Sequence, residues 1–163
     1  MKLDIDNELR DATDGLNPRH RKEKNIVIHA IAGRDLSDEK CREIAEVYTS
    51  NGWGQKYPDE DIRRLYANST YALCHTDADG EVVAVLRALS DNQATTWLAE
   101  LVVKRGYDYS SIAPLLLEKF SQDFRHTAIY TELLTGYDDQ SLYERFGMVP
   151  REMLLACSRK PLS

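Results

Sequence analysis

Long apolar runs are missing from this 163-residue chain. None approaches the roughly 20 residues that cross a bilayer, and the N-terminal stretch MKLDIDNELRDATDGLNPRHRKEKN lacks the apolar centre of a secretory signal. A cytoplasmic protein with no membrane partner is expected. Cysteine is scarce: Cys41, Cys74 and Cys157 are odd in number, far apart and without a C-x-x-C pair, which excludes a disulfide framework and a cysteine-based zinc site. His75 and His126 stand in no metal-ligand spacing with acids or cysteine pairs, so no metal is assigned. Positive charge is in deficit, with 21 Lys and Arg against 27 Asp and Glu. The net charge of -6 excludes broad attraction to nucleic acid, and no nucleic-acid partner is expected. Internal repeats and low-complexity tracts are absent.

What is present is globular: 42% hydrophobic and 29% charged residues in a length that fits one domain. Residues 1–24 are charged, lack periodic hydrophobicity and contain Gly15, Asn17 and Pro18, which reads as a flexible arm before a single domain over 25–163. The β-branched run NIVIHAIA predicts a strand over 25–32. Ser37 offers an N-cap to a helix whose apolar face carries Cys41, Ile44, Val47 and Tyr48. A glycine- and proline-containing break, NGWGQKYP, separates it from a second helix that starts on acids, DEDIRRLYANS. TYALCHT, the turn DADG, EVVAVLRAL and TTWLAELVV predict three antiparallel strands. A helix follows over 111–124, with Pro114 tolerated in its first turn. TAIYTELL then reads as a buried strand, QSLYERFG as a short helix ended by Gly147, and EMLLACSRK as a last strand. The order is that of an α+β domain with a mixed sheet.

The stretches YTSNGWG, VLRALSDN, WLAELVVKRGYDYSSIAPLLLEKF and SLYERFGMVP together resemble the GNAT superfamily of acetyl-CoA-dependent N-acyltransferases over residues 26–158, its small single-domain bacterial members in particular. The resemblance implies a three-layer fold with a mostly antiparallel sheet splayed between its fourth and fifth strands, and acetyl-CoA lying in the gap. It also implies a phosphate-binding turn of the form Gln/Arg-x-x-Gly-x-Gly/Ala, which falls here on DYSSIA. Asp108 stands for Gln/Arg, Ser111 for the first Gly, and Ala113 satisfies the last position. The implied cofactor contacts are therefore Asp108, Tyr109, Ser110, Ser111, Ile112 and Ala113. A side chain at Ser111 hinders close approach, and Asp108 repels a pyrophosphate. Lys104 and Arg105 precede the turn and can offset that charge. Asp108, Ser110 and Ser111 also read as ordinary helix caps.

Further roles come from the same resemblance. Tyr143 corresponds to a tyrosine that protonates the departing thiolate, and a phenol with an ordinary pKa near 10 suits this at neutral pH. It also fits an amphipathic helix beside Leu142 and Phe146. Glu100 corresponds to an acid on the fourth strand that takes the amine's proton, often through water. Simple alternation instead sends it to solvent, opposite Trp97, Ala99 and Leu101. Amides of Leu101, Val102 and Val103 are the implied donors to the thioester carbonyl. Trp53 and Tyr57 are candidate walls of the acceptor pocket, and Arg87 a candidate contact to a substrate carboxylate or a paired surface arginine. The expected activity is acetyl transfer from acetyl-CoA to a small-molecule amine. The departures in DYSSIA keep two others open: a relative that uses a different acyl donor, and one that no longer binds acetyl-CoA and serves another reaction or a binding role. The apolar EMLLACS fits a homodimer.

Overall fold

The computed structural model describes residues 27–32, 35–53, 57–125, 129–153 and 157. The expected N-terminal arm over 1–24, and most of the expected last strand with any dimer contact through it, lie outside these. The elements are β1 (Val27–Ala30), α1 (Asp38–Ser50), α2 (Asp59–Ala67), β2 (Tyr71–Thr76), β3 (Val82–Ser90), β4 (Thr95–Val103), α3 (Tyr109–Phe124), β5 (Tyr130–Glu132), a short 3-10 turn (Tyr137–Asp139) and α4 (Gln140–Glu144). The five strands form one sheet in sequential order, antiparallel throughout except for the parallel pair β4 and β5.

Local chemistry sets these boundaries as the sequence predicts. The Ser37 side chain accepts from the Lys40 amide and opens α1, while Pro58 and three acids precede or occupy the first turn of α2. In the β2–β3 turn, Asp77 Oδ1 accepts from the amides of Asp79 and Glu81, and Gly80 takes the left-handed φ of +84°.

Two cores sandwich the sheet. On one face α1 and α2 bury Cys41, Ile44, Val47, Tyr48, Ile62 and Tyr66 against Ala72, Cys74, Val85 and Val102. On the other, α3 lays Ile112, Ala113, Leu116, Leu117 and Phe120 over Leu73, Leu86 and Leu98. This is the expected three-layer α+β arrangement.

Three expectations need correction. The helix after β4 begins at Tyr109, two residues earlier than predicted, because Asp108 caps it. β5 is a three-residue strand with Tyr130 64% exposed, not a long buried one, since only β4 flanks it among the described residues. Glu152 and Met153, expected to begin the last strand, lie in a turn, and Met153 is exposed.

Leu116 is fully buried between α3 and the sheet. Leu116→Ala should lower unfolding free energy by about 2–5 kcal/mol, measured by urea denaturation.

Candidate active site

β4 pairs with β5 only from Thr95 to Trp97, opposite Tyr130 to Glu132. Beyond that point the two segments part. A cleft of about 270 Å3 opens between Leu98–Val103 on one wall and Leu133, Thr135, Gly136 and Tyr143 on the other. The backbone of β4 is still held on its far side by β3. There Lys104 N donates to Val83 O at 2.7 Å, so antiparallel alternation turns Val102 toward β3 and leaves the polar groups of Leu101 and Val103 facing the cleft. Of the three amides expected to polarise a carbonyl, those of Leu101 and Val103 face the cleft, and Val102 is spent in the ladder. Val103 O accepts from Asn51 Nδ2 at 2.9 Å.

Glu100 reaches this wall through a bulge. Arg87 pairs with Glu100 and Ala88 with Leu98, so Ala99 is the extra residue of β4. The bulge breaks the alternation that would have put Glu100 on the same face as Leu98: Leu98 stays on the α3 face and Glu100 turns to the α1–α2 face, so the expected solvent-facing position is not the one observed. There Arg87 grips both its oxygens, Nε on Oε2 at 3.0 Å and Nη2 on Oε1 at 2.7 Å. The Tyr48 hydroxyl donates to Oε2 at 2.6 Å. That bond uses the only Tyr48 proton, so in the 2.8 Å contact between hydroxyls Tyr66 is the donor. Burial first, with Tyr66 and Glu100 adding to it, pushes the Tyr48 phenol well up, and burial does the same to Tyr66. Arg87 is thus a buried ion-pair partner, not the paired surface arginine of the sequence reading. Tyr48 and Tyr66 were legible only as helix residues, and Asn51 only as the start of the break after the first helix. The missing signal was the carboxylate, which belongs to a strand 52 residues beyond Tyr48.

Tyr143 is 7% exposed and lines the opposite wall. Burial raises its phenol pKa and the nearby Asp139 raises it further, while the hydroxyls of Tyr109 and Thr135 act in the other direction. Tyr109, the first residue of α3, also lines the cleft.

The turn into α3 is built around Asp108. Its Oδ1 accepts from the Ser110 amide at 3.0 Å and the Ser110 hydroxyl at 2.7 Å, and its Oδ2 from the Ser111 hydroxyl. These hydroxyls, Ser111 first, hold the Asp108 carboxyl below the usual range. Ile112 N donates to Asp108 O, and the Ile112 and Ala113 side chains are buried in the core. Of the six residues expected to touch a cofactor here, Ile112 and Ala113 serve the helix, while Asp108, Ser110 and Ser111 cap one another. The helix-cap reading therefore describes this turn. Lys104 does not offset Asp108, because its ammonium bonds Glu46 and Glu81. A phosphate at this turn would have to displace a carboxylate from the amides that would hold it.

Trp53 stacks on Tyr48 with ring centroids 5.8 Å apart and lines the cleft. Tyr57 meets the same ring edge-on at 6.0 Å but lines a second cavity of about 510 Å3, with Arg87, Leu65 and Leu89. The two aromatic walls expected to share one pocket thus stand in two, divided by Tyr48 and the Arg87–Glu100 pair. Among the described residues no group of three or more His, Cys, Asp or Glu is placed to hold a metal, and no helix is long and apolar enough to cross a membrane.

A family model described as the acetyltransferase (GNAT) family matches residues 38–148. Among solved structures, a GNAT family acetyltransferase from Streptococcus pneumoniae is similar at 17% identity and a TM-score of 0.64, over 83% of this chain and all of that one. Glucosamine-6-phosphate N-acetyltransferase from Arabidopsis thaliana is similar at 12% identity and 0.65, over 84% of this chain and all of that one. An aminoglycoside acetyltransferase from an uncultured soil metagenomic sample follows at 19% and 0.61, over 86% of this chain and all of that one. At these identities the likeness is one of fold. No curated protein matches the chain.

Tyr48→Phe leaves Glu100 one donor short and the Tyr66 hydroxyl without its buried acceptor; a loss of about 1–3 kcal/mol in denaturant unfolding is expected. Asp108→Asn keeps a good N-cap and removes the charge. It should bind inorganic pyrophosphate on the order of tenfold more tightly than the parent in calorimetry. Unchanged binding would show that the carboxylate does not guard the turn. Because the folded Asp108 pKa is depressed, its stabilisation is present above the unfolded value of about 3.9 and lost as pH falls through the folded one. The Asn variant should show a shallower loss of stability in that acid window.

Proposed function

The chain belongs to the acetyltransferase (GNAT) family, and from that premise we propose that it transfers the acetyl group of acetyl-CoA to the amine of a small molecule. The observation that carries this reading is the cleft at the parting of β4 and β5. It brings two outward-facing strand amides, a fixed carboxylate and a buried phenol around one space.

The residues divide the work as follows. The N–H groups of Leu101 and Val103 face the cleft, where a thioester oxygen gains negative charge as the amine adds. Glu100 Oε1 accepts one bond from Arg87 and keeps acceptor capacity for the amine's proton, directly or through a water. Oε2 is committed to Arg87 and Tyr48. The N–C bond forms, the C–S bond breaks, and Tyr143 gives its proton to the leaving sulfur. Its raised pKa keeps that proton in place at neutral pH. Trp53 borders the cleft at the end of α1 and supplies an apolar wall for the acceptor.

The fit to acetyl-CoA is uneven. The thioester end meets free amides and apolar walls, whereas the diphosphate end meets Asp108 where a helix N-terminus would otherwise be open. That carboxylate favours a second reading, in which this family member uses an acyl donor without a diphosphate, or binds no CoA.

The two readings separate in one comparison. With acetyl-CoA as the true donor, CoA at 100 times its dissociation constant should stabilise the fold by about 2.7 kcal/mol in thermal unfolding. S-acetylpantetheine, which lacks the nucleotide, should then be the poorer donor. No stabilisation by CoA, together with equal use of both thioesters, supports the second reading. Tyr143→Phe should lower kcat by roughly 10²–10⁴ with little change in donor KM, measured by thiol release. In the parent, no rate loss from Tyr143 deprotonation should appear below about pH 10, since its pKa lies above the ordinary tyrosine value.

A further inference from the structure

The Arg87–Glu100 pair satisfies Glu100 more fully than it satisfies Arg87. Arg87 is 9% exposed, and the edge formed by Nε and Nη2 is taken up by the carboxylate at 3.0 and 2.7 Å. A guanidinium has a second two-toothed edge, made by its two terminal nitrogens. Among the described residues that edge has one hydrogen-bond partner, Ser69 Oγ, at a long 3.4 Å from Nη1. Ser69 spends its own proton on Leu65 O. Donor capacity is therefore left over on a buried cation.

That cation lines the second cavity, not the cleft. The cavity walls are Leu65 and Leu89 with the ring of Tyr57, and its polar rim is balanced, since Arg64 is mostly exposed and pairs with Asp61 at 2.7 Å. Asn68 Nδ2 is turned back onto Arg64 O. The one buried charge on offer is the free edge of Arg87. Its two parallel N–H groups match a planar carboxylate, and the apolar walls disfavour a strongly hydrated anion.

We propose that this cavity receives the carboxylate of a ligand with an apolar body, the carboxylate on the terminal-nitrogen edge of Arg87 and the body against Leu65 and Leu89. The carboxylate site stands on this geometry alone; reading the ligand as an acceptor that also presents an amine past Tyr48 to the cleft rests on the acetyl-transfer reading above. Arg87 would then join two carboxylates, Glu100 on one edge and the ligand on the other, so ligand binding and the orientation of Glu100 share one side chain.

Calorimetry without any acyl donor tests the site, with 3-phenylpropionate against its uncharged match, 3-phenylpropanamide. The carboxylate should bind at least about tenfold more tightly. Leu89→Trp, which fills the cavity, should weaken it by about the same factor, and Arg87→Lys, which keeps charge but loses the fork, should remove most of the preference. Circular dichroism and melting temperature check that each variant is folded. Equal binding of the pair, no binding of either by the parent, or indifference to Leu89→Trp overturns the proposal. Acetyl transfer to phenylalanine and to phenethylamine is then compared. Carboxylate binding without transfer to any amine sinks the transfer reading and leaves the site; transfer without carboxylate binding or preference sinks the site alone.

Discussion

A carboxylate held inside a β-sheet by a guanidinium and a phenol is what the functional half of this molecule is arranged around. Neither Glu100 nor Arg87 could be desolvated alone, and losing one partner of such a pair typically costs about 3–5 kcal/mol. The bulge at Ala99 makes the pairing possible by carrying Glu100 to the face where Arg87 points. Tyr48 closes the arrangement from α1, and its ring is the surface on which Trp53 and Tyr57 rest. The placement of Trp53 and Tyr57, the wall of the cleft and the floor of the second cavity thus all trace back to one ion pair.

The donor side of the cleft is furnished unequally. Where β4 leaves β5, backbone donors are freed because a strand edge has lost its neighbour, and no side chain is needed to create them. At the start of α3 the reverse holds: the Asp108 carboxylate already sits at the helix N-terminus, accepting from the Ser110 amide and from the hydroxyls of Ser110 and Ser111. A family member so built must either displace that carboxylate or do without the contact, and the charge repulsion decides the issue more than the added bulk of Ser111 does.

Much of the architecture was legible because it is written in local patterns. Ser37, Pro58, the acids of α2, the DADG turn and Gly147 each sit where the structure uses them. The family was legible from four dispersed stretches, and Tyr143 and Glu100 do face one cleft. What escaped reading was whatever depends on register. A single inserted residue at Ala99 inverts the side on which Glu100 lies, and strand periodicity cannot announce a bulge. The partnership of Tyr48 and Tyr66 with that carboxylate joins helix residues to a strand residue far along the chain, so two helix residues of ordinary apolar-face appearance became part of the site. β5 was overestimated because an apolar run reads as buried whether or not a second neighbour covers it.

The stacking of Trp53 on Tyr48 has an optical consequence. The chain has two tryptophans, and Trp97 lies at the other end of β4, in the stretch still paired with β5. Trp53 is 45% exposed, borders the cleft and rests on the ring whose hydroxyl holds Glu100. Its indole emission is therefore expected to respond to what enters the cleft. The protein carries its own fluorophore at the edge of its cleft, with Trp97 as an internal reference.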